Sequence, residues 1–216
     1  MRERGVKKCA RRYVVTAGPT REYIDAVRFL STPSSGRMGF AVAAAAARRG
    51  FRVTLVAGPC ALPTPEGVER IDVVSARDMA SAVGRTLRAE DTFVAVAAVA
   101  DWRPAKTAKG KLKKDRMEGV LRLVRNPDIL KRAKAAVKVG FAAETDDVLA
   151  NAARKCRAKK LDMIVANDVG EPGCGFGSAA NRVTFVFRDG TSRALPKMSK
   201  RAIADRIVEA CEGFRS

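Results

Sequence analysis

The chain alternates short apolar runs of strand character with longer segments of helical period, and this alternation leaves few folds open to it. The strand-like runs are YVVTA at 13–17, FRVTLVA at 51–57, VERIDVV at 68–74, TFVAVAA at 92–98, VKVGFAA at 137–143 and LDMIVAND at 161–168. Helical segments at 36–49, 76–89, 127–135, 146–159 and 199–211 follow or separate them, with Asp128, Asp146 and Asp147 placing negative charge in first turns. Strand-then-helix repetition predicts an α/β fold, a Rossmann-like doubly wound, mostly parallel sheet with right-handed crossovers. The segment RVTFVFRDGTSRAL, turning at Asp189–Gly190, adds an antiparallel edge hairpin. The stretch AKTAKGKLKKDRMEGV at 105–120 has no clear period. At 216 residues and 47% hydrophobic content the chain suits one core, read as a basic N-terminal tail at 1–12 and a single domain at 13–216.

Several chemistries are closed to this composition. There is no histidine, so histidine-based triads and histidine–metal sites are unavailable. The five cysteines are scattered and never form a C-x-x-C pair, which argues for reduced thiols rather than disulfides or zinc. No apolar run approaches the ~18 residues of a membrane span, and the start MRERGVKKCARRY lacks the apolar core of a secretory signal. A soluble, cytoplasmic protein without a membrane partner is expected. The net charge of +19 attracts polyanions, yet the charges are dispersed and aromatics are only 6%, so no specific nucleic-acid partner is expected. A Walker A sequence is absent too, which leaves phosphate-directed chemistry using lysines, arginines, backbone amides and a metal ion.

In open α/β sheets ligands bind beyond the carboxyl ends of the strands, so the loops there hold the candidate site. After the first run Gly18 stands alone at the turn, and the helix is delayed to Ser34–Ser35–Gly36. Hydroxyls and open N–H groups there form a candidate phosphate cradle; the plainer reading is a capped helix with a packing glycine, and the loop alone weighs the two equally. AAVADWRP ends on Asp101, Trp102 and Arg103, which project into the crevice or close a core edge. GFAAETDDV places Ala142, Ala143 and Asp147 where backbone can approach a base and a carboxylate can meet ribose, or where a helix is simply capped. Arg154, Lys155, Arg157, Lys159 and Lys160 suit a triphosphate or merely solvent. The loop GEPGCGFGSAANR carries Phe176 and either folds over a ligand or only connects.

Taken in order, TAGPTREYIDAVRF, SSGRMGFAVAAAAARRG, AAVADWRP, LVRNPDIL, GFAAET, LDMIVANDV and GFGSAANRVT resemble the phosphopantothenoylcysteine synthetase family. The likeness runs from Tyr13 to about Ile207. In many bacteria this family forms the second half of a bifunctional flavoprotein. The resemblance implies a ligase domain that uses CTP, or ATP, with Mg²⁺ to activate 4′-phosphopantothenate and join it to cysteine in coenzyme A biosynthesis. It implies no flavin, a homodimer and a separate decarboxylase as a candidate partner. By motif, Ser34, Ser35, Gly36, Arg157, Lys159 and Lys160 would hold the triphosphate, with Gly18 also counted among the nucleotide-binding residues. Ala142, Ala143, Asp147 and Phe176 would surround the nucleoside, and Asp101 would face the acyl substrate. Lys111, Lys113 and Lys114 would belong to a flap closing over the site.

Two positions depart from the family pattern. Thr32, followed by Pro33, stands where relatives usually carry a catalytic asparagine, and Arg157 stands where the basic motif usually opens with lysine. Thr32, Arg157 and Asp101 are therefore the candidate catalytic positions. A homologue that binds nucleotide without turnover, a nicotinamide-dependent oxidoreductase and a basic nucleic-acid-binding protein stay as alternatives. The glycine fingerprint G-x-G-x-x-G expected of the oxidoreductase is missing.

Overall fold

The first strand, β1 (Arg12–Ala17), is buried on both faces, which is why its sequence shows no polar alternation. Tyr13, Val15 and Ala17 join one core cluster and Val14 the other. Residues 12–113, 119–144, 147–168 and 180–214 are described by the computed structural model. A short ribbon follows β1, formed by β2 (Arg21–Tyr23) and β3 (Phe29–Ser31), and then α1 (Arg37–Arg48). The chain continues through β4 (Arg52–Ala57), β5 (Val68–Asp72), α2 (Ala76–Thr86) and β6 (Thr92–Ala95). A second ribbon, β7 (Trp102–Pro104) with β8 (Leu123–Arg125), precedes α3 (Ile129–Arg132), β9 (Val137–Glu144), α4 (Val148–Ala158) and β10 (Met163–Asp168). The remainder is β11 (Ala180–Asn181), β12 (Val183–Phe187), β13 (Ser192–Ala194), β14 (Met198–Ser199) and α5 (Lys200–Gly213).

Eight strands form the main sheet in the order β13-β12-β10-β9-β6-β1-β4-β5. The six from β10 to β5 are parallel, and the order reverses direction between β1 and β6. The hairpin β12–β13 is antiparallel at one edge, as the sequence predicts. One face carries α1 and α5: Phe40, Val42, Ile203 and Ile207 share a cluster with Tyr13 and Val15. On the other face α2, α3 and α4 cover Val14, Phe93 and Ile164. Small residues let α1 sit close: a Cβ on Gly39 would lie 2.5 Å from the Cβ of Ala17, so only glycine permits this approach. Ser75 caps α2 through a reciprocal box with Asp78, which marks that helix start in the sequence itself. The expected run at 92–98 leaves the sheet after Ala95, where Val96 and Ala98 donate instead to the carbonyls of Thr16 and Gly18.

Candidate functional site

At the carboxyl ends of β1, β6, β9 and β10, beside the reversal in strand order, lies a cavity of about 190 Å³. Ser34, Ser35, Gly36 and Arg37 form one wall; Phe141 and Ala142 of β9 and Asn167 of β10 form another. Asn181 and Lys200 reach it from the small β11–β14 pair and the start of α5.

The cradle geometry follows from one glycine. Gly36 precedes α1 with φ 75° and, lacking a side chain, makes no capping hydrogen bond to the first turn, whose N–H groups point toward the cavity wall formed by Ser34, Ser35 and Gly36. A Cβ on Gly36 would lie 3.2 Å from Cys60 Sγ and 3.4 Å from Gly18 Cα, which puts the Gly18 turn directly behind the cradle. The Ser34 N–H donates to the Thr32 carbonyl at 2.8 Å, and the Gly36 N–H reaches Ser34 Oγ at 3.4 Å. Across the cavity, Asn167 Oδ1 is buried and finds no hydrogen-bond partner among the described residues. A buried acceptor left open is costly unless a ligand donor or water completes it.

The lysine-rich stretch is fastened to the first crevice loop. Asp25 is fully buried and accepts from the N–H groups of Val27, Arg28 and Leu112 and from the Arg28 guanidinium. Arg28 also donates to the Leu112 carbonyl at 3.0 Å, while Thr107 Oγ1 and the Ala108 N–H bond to the carbonyls of Tyr23 and Ile24. Lys111 and Lys113 are thus exposed side chains on a backbone held in place, and Lys114 lies outside the described residues. The Arg28 side chain, followed by the surrounding N–H groups, holds the Asp25 carboxyl well below the usual carboxylate range.

Of the candidate residues, the structure gathers Ser34, Ser35, Gly36 and Ala142 into the cavity, with Gly18 adjoining. Thr32 is half-buried just upstream, with its carbonyl occupied by Ser34. Asp101 is exposed outside the cavity lining, its carbonyl accepting the Asn126 N–H at 2.8 Å. Ala143 pairs in register with Asn167, and Asp147 precedes α4 with φ 44° and no capping bond from its side chain. Phe176 lies outside the described residues.

Arg157, Lys159 and Lys160 are not among the residues that line this cavity. The helix α4 runs back against the strand direction, so its end returns to the amino ends of β9 and β10. There Lys159 pairs with Asp128 at 3.1 Å and its carbonyl accepts Lys138 Nζ, while the Lys160 carbonyl accepts Arg188. Sequence reasoning missed Arg37, Asn167, Asn181 and Lys200. Asn167 did leave a signal, a polar residue in an otherwise apolar strand; Lys200 left none, because only the tertiary fold brings the last helix here.

A family model described as the DNA/pantothenate metabolism flavoprotein C-terminal domain matches residues 9–214. The chain is 48% identical over 203 residues to a coenzyme A biosynthesis bifunctional protein CoaBC of Vibrio vulnificus (strain YJ016), covering 91% of this chain and 50% of the relative. It is 45% identical over 205 residues to the protein of the same name from Escherichia coli (strain K12), again covering 91% of this chain and 50% of the relative. The chain therefore spans about half the length of the curated relatives it matches. A crystal structure of the C-terminal domain of a CoaBC superposes with a TM-score of 0.80 at 39% identity, covering 94% of this chain and 95% of that one.

Proposed function

Since the chain belongs to the DNA/pantothenate metabolism flavoprotein C-terminal domain family, we propose that it is a phosphopantothenate–cysteine ligase acting in coenzyme A biosynthesis. The observation that carries the reading is the cavity where the start of α1, behind Ser34–Ser35–Gly36, faces Phe141 and Ala142 at the end of β9 and the open Asn167 acceptor. Helix N–H groups suit phosphate, small residues let a base approach the backbone, and the open acceptor suits a nucleoside donor.

In the proposed reaction a carboxylate oxygen of 4′-phosphopantothenate attacks the α-phosphorus of CTP, and the bond to pyrophosphate breaks. The cysteine amine then attacks the acyl carbon of the mixed anhydride, CMP leaves and the amine proton is lost. The chain's part is to place the α-phosphorus in line and to stabilise charge on the leaving oxygens through fixed N–H and cationic donors. The described lining offers hydroxyl and amide oxygens but no acidic residue, so Mg²⁺ would be held mainly by the triphosphate, drawing charge off its oxygens. Asp101 and the flap lysines Lys111 and Lys113 would meet the acyl substrate. Thr32 would stand where a bacterial relative's asparagine assists the intermediate.

We extend the proposal to a cytoplasmic homodimer paired through the ribbons β2–β3 and β7–β8, which lie side by side and leave Val27, Phe29, Trp102, Val120, Leu121 and Leu123 exposed. The test of the ligase is pyrophosphate release with 4′-phosphopantothenate, cysteine and Mg²⁺ under CTP, ATP or no nucleotide, with the product identified by mass. Release that requires phosphopantothenate, favours CTP and yields the cysteine amide is expected. No release despite measurable CTP binding would leave a nucleotide-binding homologue and place the loss at Thr32.

A further inference from the structure

A second cleft, of about 440 Å³, opens between the start of α2 and the ribbon strands β2 and β7, and it shares no lining residue with the cavity at the cradle. Arg21, Arg77 and Arg103 line it, against Glu22 and Asp78. Asp78 is already engaged in the cap of α2, where it accepts from the Ser75 N–H and hydroxyl. Glu22 is engaged only by half. It is 3% exposed, its Oε1 accepts the Ala76 N–H at 2.8 Å, and its Oε2 has no hydrogen bond or ion pair among the described residues. A carboxylate so far from water is costly until a donor, best a charged one, completes it. The arginines are open in the opposite sense. The Arg21 guanidinium lies 4.7 Å from the centre of the Phe29 ring, which orients it, and it makes no hydrogen bond among the described residues. Arg77 makes neither a hydrogen bond nor an ion pair among them. Arg103 is held through Nη1 alone, which donates to the Arg125 carbonyl and to Asn126 Oδ1, so its Nε and Nη2 stay unbonded within the same set.

We propose that this cleft binds a dicarboxylic α-amino acid, with its ammonium on Glu22 Oε2 and its carboxylates on Arg21, Arg77 and Arg103. Guanidinium forks match carboxylates in geometry as well as charge. Three arginines against two carboxylates leave one positive charge in excess in the lining. Near neutral pH an acidic amino acid carries one net negative charge, because both carboxyls are ionised and the amine is protonated. A plain anion such as phosphate would serve the arginines but would repel the buried Glu22 carboxylate, so the amine is an essential part of the assignment. The cleft stands apart from the nucleotide cavity, and the assignment does not depend on the ligase reading.

The experiment is calorimetric titration of the full chain with L-glutamate and L-aspartate, beside glutarate, which lacks the amine, L-glutamine, which lacks the second carboxylate, and inorganic phosphate. One of the two acidic amino acids should bind saturably, and about tenfold or more tightly than glutarate, L-glutamine or phosphate, the scale of one lost charge-assisted contact. Arg77→Met, a change at an exposed helix position, should weaken that binding about tenfold and leave CTP affinity as it is in wild type. Glu22→Gln keeps an oxygen for the Ala76 N–H but loses the charge, so it should bring the amino acid down to the affinity of glutarate. No saturable binding of either amino acid overturns the assignment, and so does an Arg77→Met protein that binds as wild type does. Glutarate or phosphate binding as tightly as the amino acid also overturns it, since Glu22 would then have no part. If Glu22→Gln does not fold, the comparison of glutarate with the amino acid on wild type decides the role of the amine by itself. Loss of ligase activity with no change in amino-acid binding would remove the ligase reading and leave this site standing.

Discussion

Asp25 takes a carboxylate out of water entirely, and five donor contacts from Val27, Arg28 and Leu112 replace the lost solvation. Its depressed pKa has a definite consequence for acid stability. In the unfolded chain the group titrates near ~3.9, and in the fold it titrates lower, so its contribution is fully present above that unfolded value. It is lost as the pH falls toward the folded-state value. Asp25→Asn should therefore lower the Tm at neutral pH and flatten the acid limb of the Tm-against-pH curve below ~pH 4. Because Leu112 hangs on the same carboxylate, the variant should also be nicked faster by trypsin at Lys111 and Lys113. A thermal scan across pH with limited proteolysis checks both; an acid limb identical to wild type would show that the pair carries no pH-linked stability. The local contacts from Val27 and Arg28 lie within three residues of Asp25, but the tie to Leu112 does not show in the sequence, because it comes from a segment 87 residues away that has no periodicity of its own.

Among the elements, the parallel strands were legible because burial on both faces demands continuous apolar runs, and YVVTA or LDMIVA hold little else. The helices α2 and α5 were legible from their starts, where Ser75 and Ser199 each accept an N–H from three residues on. The ribbons β2–β3 and β7–β8 were not, since strands of three residues carry too little pattern and owe their form to each other and to the Asp25 and Asn126 bonds. The same limit applies at the cavity: its Ser34–Ser35–Gly36 wall is continuous in sequence, whereas Asn181 and Lys200 reach it only through the tertiary fold. The start of α1 gives a direct check. Gly36 sits at φ 75°, where a side chain costs roughly 1–2 kcal/mol, and an added Cβ would press on Cys60 Sγ. Gly36→Ala should lose about that much stability and weaken CTP binding more than CMP binding, since the N–H groups facing the phosphates shift with the helix end. Unchanged affinity for CTP in a destabilised variant would detach the helix start from the phosphate site.

At the scale of the molecule the +19 charge and the apolar ribbons act against each other. Two copies carrying that charge repel at long range, whereas Val120 at 83% exposed and Leu121, Leu123, Trp102 and Phe29 at 40% or slightly more gain by being covered. Screening reaches across about 10 Å at 0.1 M salt and about 3 Å at 1 M, so added salt removes the repulsion and leaves the apolar gain. Self-association through the ribbons should therefore tighten as salt rises, the opposite of binding to nucleic acid, which weakens as counterions compete. Light scattering coupled to size exclusion at two salt concentrations, with a gel-shift titration beside it, separates the two uses of the charge. Val120→Lys with Leu121→Lys should shift the protein to monomer at low salt while changing the Tm of the isolated chain little, because both positions are exposed there. A symmetric interface meets each substitution twice, so the shift should be large. A wild type that stays monomeric at every salt and protein concentration would remove the pairing; salt-weakened gel shifts with no dimer would return the charge to a nucleic-acid role.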